Sequence, residues 1–225
     1  MSRLRNNGLS VVAFALFFAA VAGQSVAGLK VHNEEQASHG APPLSWGAYV
    51  TGSDFGEAIF ENWESEFLQM GLFVFLTALL VQKGSAESKK PPDEEGAGEE
   101  AIDEDPRLHR DDPHAPGPVR RGGWVLKVYE NSLSLAFFCL FGASFVLHGI
   151  TGAEKYSDEQ VLHGEAPVGT LEYMRSARFW EESLQNWQSE YLAVLSIVVL
   201  SIYLRQRGSP ESKPVHKPHH ETGNE

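Results

Sequence analysis

Asn62-Trp63-Glu64-Ser65-Glu66 returns 124 positions later as Asn186-Trp187-Gln188-Ser189-Glu190, and that return decides how the chain is read. Outward from it, Asn7-Gly8-Leu9-Ser10 is matched by Asn131-Ser132-Leu133-Ser134. Gly84-Ser85-Ala86-Glu87-Ser88-Lys89 is matched by Gly208-Ser209-Pro210-Glu211-Ser212-Lys213. Aligned without a gap, about thirty of the 83 pairs from Asn7 to Lys89 are identical. A period of this kind fixes architecture before any single residue is interpreted. It also lays two diverged copies side by side, so that what both kept stands out.

Each copy carries two apolar runs. Leu9 to about Leu29 is long enough to cross a hydrocarbon core of ~30 Å at ~1.5 Å per residue, and Leu133 to about Thr151 is its mate. The second runs, Phe67 to Val81 and Tyr191 to Leu204, are shorter, at ~22 Å of helix each. An amphipathic stretch with a tryptophan extends each of them, and each stops at a basic residue, Lys83 or Arg205. The expectation is an all-α membrane protein with four transmembrane helices, arranged as two parallel two-helix repeats over residues 7–85 and 124–209. An even number of spans per copy inserts both copies in the same orientation, related by an axis along the membrane normal. The first run also resembles a signal peptide, with Arg3 and Arg5 before it and Ala20-Val21-Ala22 near its end. Its counterpart from Leu133 lies inside the chain, so retention of the first run as a helix is expected.

The mean hydropathy of −0.24 averages these runs with polar segments. Residues 86–123 hold Asp93-Glu94-Glu95, Glu99-Glu100 and Asp103-Glu104-Asp105, then four prolines from Pro106 to Pro118. Such composition cannot bury enough apolar surface to offset chain entropy, so a disordered acidic linker is expected there. Its eleven acidic and six basic residues contribute −5 to the net charge of −12, and the total says little about partners. The tail, residues 210–225, with His216, His219 and His220, is expected to be disordered too. Cys139 is a single cysteine within an apolar run and reads as a small hydrophobe.

Orientation follows from the basic residues. With the termini and linker on one side, that side holds fourteen of the eighteen Lys and Arg; the two connecting loops hold only Lys30, Lys155, Arg175 and Arg178. N and C termini are thus expected in the cytoplasm, with the two connecting loops facing out and the protein multi-pass.

On a helix, Phe55, Asn62 and Glu66 fall within about 20° of one direction with Ser65 beside them, and Phe179, Asn186, Ser189 and Glu190 repeat this. Glu66 lies sixteen residues from Gln82, and Gln24 sixteen from Gly8, which places them at similar depth. The same arithmetic pairs His148 with Glu190. A polar layer of Gln24, Asn62, Ser65, Glu66, His148, Asn186, Ser189 and Glu190 follows. Intramembrane carboxylates are costly, so the layer suggests either ion or proton handling or the structural locking of helices near the headgroups. In the outer loops Glu35, His39, Glu159 and His163 recur as a second candidate group, without the spacing that makes zinc motifs specific. No phosphate loop, nucleophile elbow or His-Glu-x-x-His is present, so no catalytic residue, metal or cofactor is assigned and the chain does not read as an enzyme. Arg120-Arg121 and Arg205-Gln206-Arg207 sit at helix ends, where anionic lipid is the expected contact. Nucleic-acid binding has no support. The partners expected are the lipid bilayer and, beyond it, further copies of the chain or other membrane proteins.

Leu4-Arg5-Asn6-Asn7-Gly8-Leu9-Ser10, Asn33-Glu34-Glu35-Gln36 with His39-Gly40, and Glu61 to Gln69 together resemble a family of uncharacterised bacterial integral-membrane proteins, a domain of unknown function. The likeness continues through Tyr129 to Leu135, Gln185 to Tyr191 and Leu204 to Lys213. It implies a bacterial membrane location and supplies no activity or substrate. The reading is a structural or scaffold component of the envelope, the alternative a small ion- or proton-handling protein using Glu66 and Glu190. The orientation has a direct test: cysteine at Ser38, in a Cys139→Ser background, is expected to label from outside intact cells, whereas labelling of a linker cysteine instead overturns it.

Overall fold

A computed structural model of the chain describes residues 6–94 and 105–223. Among them every regular element is helical. In chain order these are α1 (Gly8–Ser38), α2 (Trp46–Val50), α3 (Ser53–Leu79), a 3-10 turn (Pro106–His109), α4 (Gly117–Arg121) and α5 (Gly123–Glu130). There follow α6 (Ser132–Leu162), α7 (Thr170–Tyr173) and α8 (Ala177–Tyr203). α1 and α6 are 31 residues each, α3 and α8 27 each, and the later helix of each pair begins 124 positions after the earlier.

The long helices outrun the apolar runs that announced them. At ~1.5 Å per residue α1 and α6 reach ~46 Å, about ten residues past Leu29 and Thr151. Both are long and apolar enough to cross a membrane. α3 and α8 do not meet that measure, because each opens with a polar half before its apolar one. Two such helices, rather than four, are thus established among the described residues by length and composition.

The chain divides into two compact units: residues 1–60 with 146–180, and residues 61–145 with 181–225. In the first unit, α1 and α6 end alike. Gly40 at φ +70° and Gly164 at φ +78° occupy the left-handed region that favours glycine. Ala41 N–H donates to Gln36 and Gly40 N–H to Ala37, while Glu165 N–H donates to Gln160 and Gly164 N–H to Val161. This is the Schellman closure of a helix, which satisfies carbonyls that would otherwise have no partner. It explains why Gln-x-x-His-Gly stands in both places.

The chain after each closure is tied back onto the helix. The Asn33 side chain both donates to and accepts from the backbone of Leu44, at 3.1 and 2.7 Å. Ser157 does the same with Val168, at 2.8 and 2.9 Å. That return delivers Tyr49 and Tyr173 onto Gly28 and Gly152, and both tyrosines are buried. Trp46 Nε1 adds a 3.0 Å bond to Ser25 Oγ.

In the second unit, residues 61–79 of α3, 132–145 of α6 and 181–203 of α8 pack through Phe75 on Phe138 (6.5 Å between rings) and Phe141 on Trp187 (6.1 Å). The expected linker disorder falls in part on residues 95–104, outside the described residues. The described flanks hold the 3-10 turn, α4 and α5, with Val119 and Leu126 buried. In the tail, Lys213 and Thr222 are buried. Their backbone and hydroxyl partners supply what composition does not, since a polar segment with few apolar residues has no core of its own.

A Cβ on Gly152 would stand 2.6 Å from the Tyr173 hydroxyl, and one on Gly28 would overlap that of Tyr49. Gly28→Ala and Gly152→Ala are each expected to lower stability in detergent by ~1–3 kcal/mol, as overpacking does. Gly23→Ala, with open space around it, is expected to change little; thermal unfolding of the three variants compares them.

Candidate functional site: the polar contacts of the long helices

Polar side chains on these helices are held by one another. In the first unit, Lys155 Nζ of α6 donates to Glu57 Oε2 of α3 at 2.7 Å, with the Glu57 side chain 5 % exposed. Arg178 grips both carboxylate oxygens of Glu159, at 2.7 and 3.3 Å, and its guanidinium lies over Tyr156, 4.9 Å from the ring centre. At the positions 124 earlier, His32 approaches Asp54 at 3.5 Å. The same two positions therefore meet in both halves, once as an imidazole with a carboxylate and once as a phenol with a guanidinium.

The outer-loop candidates prove to be helix ends. His39 Nδ1 donates to the Glu35 carbonyl at 3.0 Å, and His163 Nδ1 to the Glu159 carbonyl at 2.8 Å. Each ring thus bonds a carbonyl of the last turn, which also complements the negative end of the helix dipole. His39, His163 and Glu35 are exposed, and among the described residues no group of three or more His, Cys, Asp or Glu is placed to hold a metal.

The eight residues of the expected polar layer divide between the units. Gln24 and His148 lie in the first. Gln24 is exposed, and His148 is fully buried among aromatics, stacked on Phe179 at 4.8 Å with Tyr173 edge-on at 6.4 Å. The other six lie in the second. Ser65 is buried and returns its hydroxyl to the Asn62 carbonyl at 2.8 Å; exposed Ser189 does the same to Asn186 at 2.9 Å. Asn62 and Glu66 are exposed, Glu190 is half-buried, and Glu66 is near enough to Glu190 for their charges to act on each other.

α3 and α8 meet through residues that identity between the halves did not single out. Asn186 Nδ2 donates to the Glu61 carboxylate, Trp187 Nε1 donates to Glu64 Oε1 at 3.3 Å, and Gln69 Nε2 reaches the Glu190 carbonyl at 3.4 Å. Glu64 is completely buried. Glu61 and Glu64 face Gln185 and Gln188 in the alignment, so a search for shared residues passes over them. The signal that finds them is complementary: an acceptor in the first Asn-Trp segment meets a donor in the second.

The model of a family described as "Domain of unknown function (DUF6766)" matches residues 1–224. No curated protein matches the chain. No solved structure does either.

Breaking a buried ion pair by removing one partner leaves the other charge without its counterion. Lys155→Met is therefore expected to cost about 3 kcal/mol, towards the lower end because Lys155 is partly exposed. Glu57→Gln combined with Lys155→Met is expected to recover more than half of that loss. Thermal melts of the two single variants and the double variant in detergent measure the difference.

Proposed function

The chain belongs to this family of unknown function, and from that premise we propose that it is a multi-pass protein of the bacterial inner membrane with a structural, scaffold-like role in the envelope. The membrane reading is supported by where the apolar side chains sit. Only 6 % of the most apolar stretch of α1 is buried, and 17 % of that of α6, whereas the core helix of a soluble domain is mostly covered. Leu9, Phe14, Leu16 and Phe18 are more than half exposed. A contiguous apolar surface of this extent calls for a partner, and lipid is the one that matches its length.

Four spans in two parallel repeats are the finer part of the proposal. α3 and α8, at ~40 Å, are long enough to cross. Their second halves present Phe75, Leu76 and Leu79, and Leu192, Leu195 and Leu200, to the outside. The matched helix closures, the paired Asn33 and Ser157 ties and the shared tyrosine–glycine contacts support a duplicated two-helix unit. The fourteen basic residues outside the two connecting loops support termini on the cytoplasmic side.

One observation carries the scaffold role: the carboxylates of Glu57, Glu61, Glu64 and Glu159 all bond side chains of the protein itself. Charges arranged in this way lock helices together. A second reading, ion or proton handling, rests on Glu66 and Glu190, which lie near each other. Purified protein in liposomes separates the two. The scaffold role leads to no dissipation of a pH or cation gradient beyond that of empty vesicles. A flux abolished by Glu66→Gln with Glu190→Gln, in a protein that still melts normally, establishes the second reading instead.

A further inference from the structure

α5 has two opposite faces. Its Leu126 is buried, as is Val119 of α4, where the two short helices pack on each other. Gly122 and Gly123, at φ +68° and +61°, make the reversal between them in the left-handed region that favours glycine. At ~100° per residue, Trp124 and Val128 stand about 160° from Leu126 and about 40° from each other, so both look away from α4. They are 76 % and 49 % exposed. Lys127 flanks that face and is exposed, as are Arg120 and Arg121 at the end of α4. Glu130, the one acid from Gly117 to Asn131, falls about 40° from Leu126, towards the other side of the helix.

One residue, Asn131, separates α5 from α6, and short-range bonds cross it. Leu135 N–H donates to the Asn131 carbonyl at 2.9 Å. Asn131 Nδ2 donates to the Lys127 carbonyl at 2.9 Å, and Ser132 Oγ to that of Tyr129 at 2.8 Å. α5 is thereby held at the start of a helix long and apolar enough to cross a membrane, whose Leu133, Leu135 and Leu140 are exposed. Its outward face carries the residue types of a headgroup region. An indole offers an apolar body with a polar N–H, and the cations have stems long enough to reach phosphate. Charge points the same way: residues 117–131 hold three bases against one acid, in a chain of net charge −12. Of the two acids that precede this segment most closely, Asp111 and Asp112, the second accepts the His114 N–H at 2.8 Å.

We propose that α5 is an interfacial helix, which lies on the headgroups where α6 enters the bilayer. Trp124 and Val128 sink to the ends of the acyl chains, and Arg120, Arg121 and Lys127 bind the phosphates of anionic lipid. Two exposed apolar side chains on an eight-residue helix fall well short of the ~800 Å² per partner that a stable protein interface buries. A bilayer crossed by α6 is already within reach. The inference rests on the membrane reading above, and it holds whichever side of the membrane α5 occupies. Each cation beside an anionic surface favours docking roughly fivefold, so loss of all three weakens it on the order of 100-fold.

The test uses the full chain in a Cys139→Ser background, with one nitroxide at position 128 or at position 140, both of which are exposed. The protein is reconstituted in vesicles of phosphatidylcholine, with or without phosphatidylglycerol. Power-saturation electron paramagnetic resonance compares access by oxygen, which concentrates in hydrocarbon, with access by a water-soluble nickel chelate. The label at 140 reports on the membrane reading itself and is expected in hydrocarbon in both vesicles. The label at 128 is expected at headgroup depth in the anionic vesicles and in water in phosphatidylcholine alone. Arg120→Gln, Arg121→Gln and Lys127→Gln together are expected to move it into water in the anionic vesicles too, and Trp124→Ala to make it shallower. A label at 128 in water in anionic vesicles, with 140 in hydrocarbon, overturns the interfacial helix and leaves the membrane reading standing. A label at 140 in water overturns the membrane reading, and this inference with it. Equal depth at 128 in both vesicles overturns the assignment to anionic lipid. A label at 128 shielded from both reagents also overturns it, and assigns the face to a protein partner.

Discussion

The Glu57–Lys155 ion pair is the constraint around which the first unit is arranged. Glu57 stands a few residues into α3 and is almost wholly excluded from solvent, while its lysine comes from α6, 98 positions later in the chain. Placing a carboxylate out of water costs several kcal/mol, and the well-aligned ammonium of Lys155 offsets that cost. The pair therefore fixes the register of α3 against α6. Gly56, one residue before, meets Thr151 so closely that a Cβ would stand 2.8 Å from its methyl. Gly149 and Gly152 on α6 leave room for Met174 and Tyr173. Charge sets the register, and the glycines allow the backbones to approach within it.

The matched positions of the two halves keep contacts while changing the chemistry that makes them. Asn33 ties to Leu44 with an amide, Ser157 to Val168 with a hydroxyl, and each satisfies one N–H and one carbonyl of the returning chain. His32 with Asp54 becomes Tyr156 with Arg178, so the sign of the charge at one position reverses and an aromatic face accepts the cation. What persists is the obligation on the backbone, because a polar group left without a partner away from water is costly whichever side chain stands nearby. Polar satisfaction, rather than residue identity, is the quantity held constant.

Between α3 and α8 the contacts are unlike. Glu61 and Glu64 accept, and Asn186 and Trp187 donate. Two identical acidic segments laid together would repel; replacing Glu61 and Glu64 by Gln185 and Gln188 in the second half removes that charge and leaves a net attraction. The proposed scaffold role grows from this asymmetry, since carboxylates already engaged by side chains of the chain are poorly placed to exchange an ion. Glu66 and Glu190 are near enough for their charges to act on each other instead.

Helical character and the starts of α1 and α6 were legible in the sequence, because they depend on neighbours within a few residues. The helix closures are written there too, but their Glu and His read as outer-loop candidates. Apolar periodicity, Gln-x-x-His-Gly and the glycine after each long helix act locally, and local chemistry repeats wherever the words repeat. The candidate site was legible only in part. Ser65, Asn186 and Glu190 lie at or beside the α3–α8 contact, yet Glu64, its most buried member, differs between the halves and so escaped a comparison built on identity. Gln24 and His148 were matched to the glutamates by depth along the helix alone, and depth says nothing about rotation; Gln24 faces outward and His148 enters an aromatic cage. The tail shows the same limit, since composition gave no reason for residues 213–223 to settle on a loop more than a hundred positions earlier. Which donor finds which acceptor across such separations depends on how the helices pack, and only the tertiary structure decides that.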